Sequence, residues 1–186
     1  MRRFEITPLA IAGTAVIDTH GFDDQRGTFM RLFDCEELAG FLGVKSIVNA
    51  NFSQTCKRGS IRGFHFQYPP ACELKLMRCL RGEIHQVIVD LRRGSPTFLE
   101  HVEVRLSREN RRMSCVPEGC ASCIQTLEDD SELLYFVTAR YAPDLEGGLR
   151  FDDPSLNIRW PLQVTDISVK DCSHPLIDEA FQPVEA

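Results

Sequence analysis

Ile84-His-Gln-Val-Ile-Val-Asp-Leu91 is the run whose reading decides the fold. Side chains alternate along an extended chain, so Ile84, Gln86, Ile88 and Asp90 share one face, and His85, Val87, Val89 and Leu91 the other. Both faces carry apolar groups, which predicts a strand covered on both sides. Working outward, short apolar or period-two runs recur at 12–19, 28–33, 46–54, 61–67, 74–80, 100–106, 112–116, 122–127 and 132–139. Gly, Pro, Asp, Asn or Ser separate them, a spacing that predicts an all-β sandwich or barrel. Over 133–141, Leu133, Tyr135, Val137, Ala139 and Tyr141 fall on one face. Two tyrosines on one face suit a ligand cavity, although aromatic core is the commoner fate.

One helix is expected over 34–41, with Asp34 as N-cap and Gly43 as stop. The run 107–110 reads as a turn. From about residue 152 the chain carries Asp152-Asp-Pro154, Trp160-Pro161 and His174-Pro175, which read as turns in a docked arm of a single domain spanning 1–186.

The composition bounds the function. The 186 residues carry 43% hydrophobic side chains, enough for an ordinary core, and a net charge of −6. That charge argues against a general nucleic-acid or membrane-surface binder, while leaving room for a local cationic cluster around an anionic ligand. No run approaches the ~20 apolar residues of a spanning helix, and the N-terminal sequence lacks a signal-peptide pattern. A cytoplasmic location is expected, with the eight cysteines as thiols. Cys120 and Cys123 form a lone CxxC without a second well-spaced pair, so neither a metal nor another cofactor is expected.

Ser60-Ile-Arg-Gly-Phe-His-Phe-Gln67 is the densest chemical segment, with a base, a cation and an amide in one strand-like run. Regular alternation puts His65 and Gln67 on one face and Arg62 on the other. The two meet only if the strand is bulged, and Gly63 is the place for it. The segment resembles the Arg-Gly-Leu-His-Tyr-Gln signature of the dTDP-4-dehydrorhamnose 3,5-epimerases. Further resemblances follow in order: Asp24-Gln-Arg-Gly-Thr-Phe29, Asn51-Phe-Ser53, Lys75-Leu-Met-Arg78, Arg81-Gly-Glu83, Val89-Asp-Leu-Arg92, Pro117-Glu-Gly119, Tyr135, Tyr141, Glu146, Trp160-Pro161 and Ser168-Val-Lys-Asp171. An ordered series is far more specific than one motif.

The resemblance implies a cupin, a jelly-roll β-sandwich barrel with a few short helices, forming a homodimer by exchange of N-terminal strands. It implies a nucleoside-diphosphate 4-keto-6-deoxyhexose as substrate, epimerised at C3 and/or C5 without a metal. By the same resemblance His65 is the base, Asp171 its partner, Tyr135 the opposite-face acid and Lys75 the oxyanion stabiliser. Arg62 corresponds to a diphosphate ligand. Arg26 and Phe29 correspond to nucleotide contacts reaching in from a partner subunit. Asn51, Gln67 and Tyr141 are further pocket candidates.

The pattern also breaks. Ser122 stands where the family usually has a pocket histidine, His85-Gln86 where it has Phe-Asp, Phe136 for a lysine, and Arg31 for a glutamate. Ser122 keeps a hydrogen-bonding group but no charge, and it removes an imidazole that metal-binding cupins use. The proton-transfer set is intact while the pocket is altered. C3-only epimerisation, a 3,4-ketoisomerase and a non-catalytic sugar-nucleotide-binding cupin therefore stay open.

Overall fold

The computed structural model describes residues 3–186. Its strands, in chain order, are β1 (Phe4–Pro8), β2 (Ala15–Thr19), β3 (Phe22–Asp24), β4 (Gly27–Phe29), β5 (Asn49–Thr55), β6 (Ile61–Gln67), β7 (Lys75–Arg81), β8 (Glu83–Asp90), β9 (His101–Ser107), β10 (Arg112–Val116), β11 (Cys120–Thr126), β12 (Ser131–Val137) and β13 (Glu146–Gly148). Two short α-helices, α1 (Ala39–Leu42) and α2 (Val169–Ser173), and one 3-10 turn at Pro143–Leu145 complete the regular structure of the described residues. Six strands form one sheet in the order β1-β2-β10-β7-β12-β5, and five form a second in the order β13-β6-β11-β8-β9. Neighbours within both sheets are antiparallel. Most neighbours are not consecutive in the chain, which is the crossing pattern of the jelly roll that the family resemblance implied.

The two sheets face each other across a core. Ile84, Ile88, Leu106 and Ile124 from the five-stranded sheet meet Met77, Cys79 and Leu133 from the six-stranded one. Ile84, Ile88 and Leu106 are completely buried, and each contributes about 1.5–3 kcal/mol by leaving water. The opposite face of β8 is buried too: Val87, Val89 and Leu91 pack with Phe64, Leu149, Leu156 and Val184. This double coverage is why the strand reads as apolar on both faces. The segment after residue 148 supplies much of that outer cover, with Phe151, Trp160 and Phe181 packed against it. On the other side, Leu38 and Leu42 cover the outer face of the six-stranded sheet against Leu76, Met113 and Cys115.

Local expectations fail in several places, and the short strands β3 and β13 were not among those expected. β1 is an edge strand exposed along most of its length, so it carries no alternating burial pattern. The expected strand at 28–33 is only Gly27–Phe29, half of an exposed hairpin with β3. The expected helix at 34–41 shrinks to Ala39–Leu42. Asp34 still caps, but it caps a turn: its carboxylate accepts the backbone N–H groups of Glu36 and Glu37. Finally, α2 was not foreseen, although Ser168 is its N-cap and accepts the Asp171 N–H at 3.0 Å.

Candidate active site

At one end of the sandwich the inner faces turn polar. Along β5 the inward positions are Asn49, Asn51, Ser53 and Thr55, and along β7 Lys75 precedes Met77 and Cys79. Burying such groups without partners is costly, and here they line a cavity instead. It has two adjoining lobes of about 440 Å³ and about 260 Å³, and His65, Lys75 and Tyr135 line both. These three residues therefore sit at the junction.

The β6 bulge brings Arg62 and His65 together. His65 lies opposite Ser122 on β11, and Arg62 lies opposite Ile124, so three steps on β6 match two on β11. The extra residue turns Arg62 onto the cavity side, and both side chains line the larger lobe. Gly63 makes this possible. Its φ is +112°, and a Cβ there would lie 2.5 Å from the Ser122 carbonyl oxygen.

His65 Nε2 lies 2.7 Å from Asp171 Oδ1. A carboxylate only accepts, so Nε2 carries the proton and Nδ1 is left as the basic nitrogen. Asp171 is 4% exposed and also accepts the Gly63 N–H at 3.3 Å. Burial by itself pushes its carboxyl up. The His65 hydrogen bond and charge, with the Gly63 and Ser168 contacts, outweigh burial and hold it below the usual carboxylate range.

Tyr135 stands on β12, in the sheet opposite His65. Burial raises its phenol, the Glu73 carboxylate raises it further and Arg62 offsets part of this, so it stays protonated at neutral pH. Lys75 is mostly buried and its ammonium lies 3.0 Å from Glu73. Arg62 donates from Nε to Thr55 Oγ1 at 2.7 Å and from Nη2 to the Gln54 carbonyl at 3.3 Å, which aims the guanidinium along the larger lobe.

The remaining candidates divide. Ser122 lines the larger lobe, and Asn51 and Tyr141 the smaller. Tyr141 donates to Glu146 at 2.6 Å, and Glu146 also pairs with Lys170. Gln67 touches the smaller lobe, but its amide donates to the Ala71 and Arg140 carbonyls and accepts the Ala142 N–H. It braces the loops around the rim. Arg26 and Phe29 are not brought to the cavity of their own chain: both are exposed on the β3–β4 hairpin, where Arg26 pairs with Asp24. Sequence reasoning missed Glu73 and Lys170. Glu73 was legible two residues before Lys75, on the same face, and Lys170 through the helix-start signal Ser168-x-x-Asp171.

Cys120 and Cys123 point to opposite faces of β11, one into the core between the sheets and one into the outer layer. Burial pushes Cys120 up to about 12 and Cys123 well above the usual thiol range. Among the described residues no three His, Cys, Asp or Glu side chains converge as a metal-ligand set.

The sequence profile of the dTDP-4-dehydrorhamnose 3,5-epimerases matches residues 8–179. The chain belongs to that family. It is 38% identical over 174 residues to the dTDP-4-dehydrorhamnose 3,5-epimerase of Salmonella typhimurium, covering 92% of this chain and 94% of the relative. Among solved structures, the dTDP-6-deoxy-D-glucose-3,5-epimerase of Legionella pneumophila, in complex with dTDP-4-keto-L-rhamnose, superposes with a TM-score of 0.90. It shares 34% identity, over 98% of this chain and 99% of that one. A 3'-monoepimerase from Streptomyces bikiniensis, in complex with dTDP-quinovose, gives a TM-score of 0.84 at 30% identity, over 91% and 86%. Membership of this epimerase family makes the protein an isomerase-class enzyme of deoxysugar biosynthesis with the cupin jelly-roll fold.

Proposed function

We propose that the protein inverts C3 and C5 of a nucleoside-diphosphate 4-keto-6-deoxyhexose, with dTDP-4-dehydrorhamnose as the reference substrate. The observation that carries this reading is the placement of a His65–Asp171 dyad and the Tyr135 phenol on opposite sheets of one cavity. Inversion beside a ketone needs a base on one face of the ring and a proton donor on the other. His65 Nδ1 removes the proton next to the C4 ketone, giving an enolate, and Asp171 holds the imidazolium that forms. Lys75 faces the developing charge on the ketone oxygen, a kind of stabilisation worth about 3 kcal/mol of barrier. Tyr135 then returns a proton to the opposite face. The substrate has gained and lost one proton, and the imidazolium and phenolate reset through solvent. Arg62 offers its planar fork to the diphosphate.

Incubation with the 4-keto sugar nucleotide in heavy water tests this. The wild type is expected to place deuterium at C3 and C5, and His65→Ala at neither. Deuterium at C3 alone identifies a monoepimerase. Product with the ketone at C3 identifies a ketoisomerase. No exchange by the wild type refutes the catalytic reading.

The working form is a cytoplasmic homodimer in which the exposed β3–β4 hairpin carries Arg26 and Phe29 to the partner's cavity. Phe22 and Phe29 are 59% and 67% exposed, and Arg111 tethers the hairpin through Asp23. Large exposed aromatics on a tethered hairpin favour an interface. Among the described residues no helix is long and apolar enough to cross a membrane.

A further inference from the structure

Beneath the larger lobe lies a buried polar relay. Ser114 Oγ donates to Gln86 Oε1 at 2.6 Å, and Gln86 Nε2 donates to Ser122 Oγ at 2.8 Å. Ser114 and Gln86 are fully buried, whereas Ser122 is 8% exposed and lines the cavity. The direction of the relay is fixed by a fourth side chain. Met77 Sδ lies 3.1 Å from the Gln86 amide, and a thioether sulfur only accepts. The NH2 end of the amide therefore faces Met77 and Ser122, and the carbonyl end faces Ser114. One amide hydrogen goes to Ser122 and the other to the sulfur.

Ser122 is thereby left as a donor. Gln86 occupies one of its lone pairs, and among the described residues its own O–H meets only the Met77 sulfur at 3.8 Å, a weak acceptor. Ser122 is also the cross-strand neighbour of His65. A hydroxyl donor thus waits at the cavity floor beside the base, in a wall where Gln86 and Ser114 bring no charge.

We propose that Ser122 is a specificity-determining donor to the C2 hydroxyl of the sugar, with Gln86 and Ser114 as its positioning residues. This rests on the epimerase reading above. Besides the ketone, the hydroxyl oxygens near the reacting carbons are those at C2 and C3. The C3 oxygen swings as its carbon passes through the planar enolate, so a fixed donor gripping it opposes inversion. The C2 oxygen keeps its place throughout, and a fixed donor holds the ring without resisting the chemistry. The chemical class selected is a 4-keto sugar that retains its C2 hydroxyl.

The test compares the nucleotide-linked 4-keto-6-deoxyhexose with its 2-deoxy counterpart, reading kcat/KM by deuterium wash-in. The wild type is expected to favour the 2-hydroxy sugar about twofold to tenfold, the range of one neutral hydrogen bond. Ser122→Ala is expected to bring that ratio close to one, and Ser122→Thr, which keeps the hydroxyl, to preserve it. Gln86→Met, similar in volume, is expected to lower the ratio by releasing the hydroxyl from its orientation. A Ser122→Ala variant with the wild-type ratio, or one slowed equally on both sugars, overturns the proposal. An unchanged ratio in Gln86→Met overturns the positioning role. If the wild type exchanges neither sugar, the epimerase reading fails separately. Calorimetric binding of the same two sugar nucleotides then decides for the donor if Ser122→Ala abolishes a preference, and against it if the wild type has none.

Discussion

Replacing Gly63 with alanine tests the link between the bulge and the site. The φ of +112° is one that side-chain-bearing residues rarely adopt, and holding alanine there costs about 1–3 kcal/mol. The added methyl would lie 2.5 Å from the Ser122 oxygen and 2.9 Å from Cys123 Cα. Neither neighbour yields easily, because β11 is paired on both sides, to β6 and β8. Overpacking of this kind adds about 1–3 kcal/mol. The sum, about 4 kcal/mol, is a large part of a total stability of about 5–15 kcal/mol. It corresponds to a melting temperature lower by about 8–16 °C for a domain of this size. The chain has one escape, which is to flatten the bulge, and that returns Arg62 to the face away from His65. Thermal unfolding by circular dichroism and deuterium wash-in at a temperature where the variant is folded read the two effects apart. Both stability and exchange rate are expected to fall, the rate by more than the folded fraction explains. A Gly63→Ala protein with wild-type melting and wild-type exchange refutes the reasoning.

Three further outcomes are expected. Tyr135→Phe keeps the ring and removes the proton donor, so kcat should fall by about 10²–10⁴-fold with the fold intact, measured by product NMR. Arg62→Lys keeps the charge but loses the fork that Thr55 and the Gln54 carbonyl orient, so KM should rise about tenfold with kcat little changed in steady-state kinetics. For acid stability, burial pushes Asp90 up, but hydrogen bonds from Arg92, Ser95 and Thr97 outweigh it and leave the carboxyl far below its usual range. A folded pKa below the unfolded one gives stability that is complete above about pH 4 and lost as pH falls through the depressed value. Urea midpoints should therefore drop steeply below about pH 4 in the wild type, and Asp90→Asn should be less stable at neutral pH with a flatter acid limb.

The parts of the fold that were legible are those where one physical demand dominates. Ile84 to Leu91 must be covered on both faces, and it is. Arg62 and His65 share a site only through a bulge at Gly63, and the ladder carries its extra residue there. What escaped was held by tertiary contacts or by local capping. Phe4–Pro8 is strand because Ala15–Thr19 pairs with it, while most of its side chains face water. Most of 34–41 is not α-helix because Asp34 ties its carboxylate into a turn and Leu38 and Leu42 need only one turn to reach the sheet. In the site, sequence order named the junction residues His65, Lys75 and Tyr135. The polar inner stripe of Asn49, Ser53 and Thr55 was hidden because the outward face of the same strand is mixed, with Phe52 exposed.

The segment that roofs the five-stranded sheet also delivers Asp171 to His65. Mechanical integrity and proton transfer therefore share one fastening. Should that roof lift, its apolar underside meets water and the imidazole loses its counter-ion in the same instant, so a loosened molecule is a silent one long before the sandwich itself comes apart.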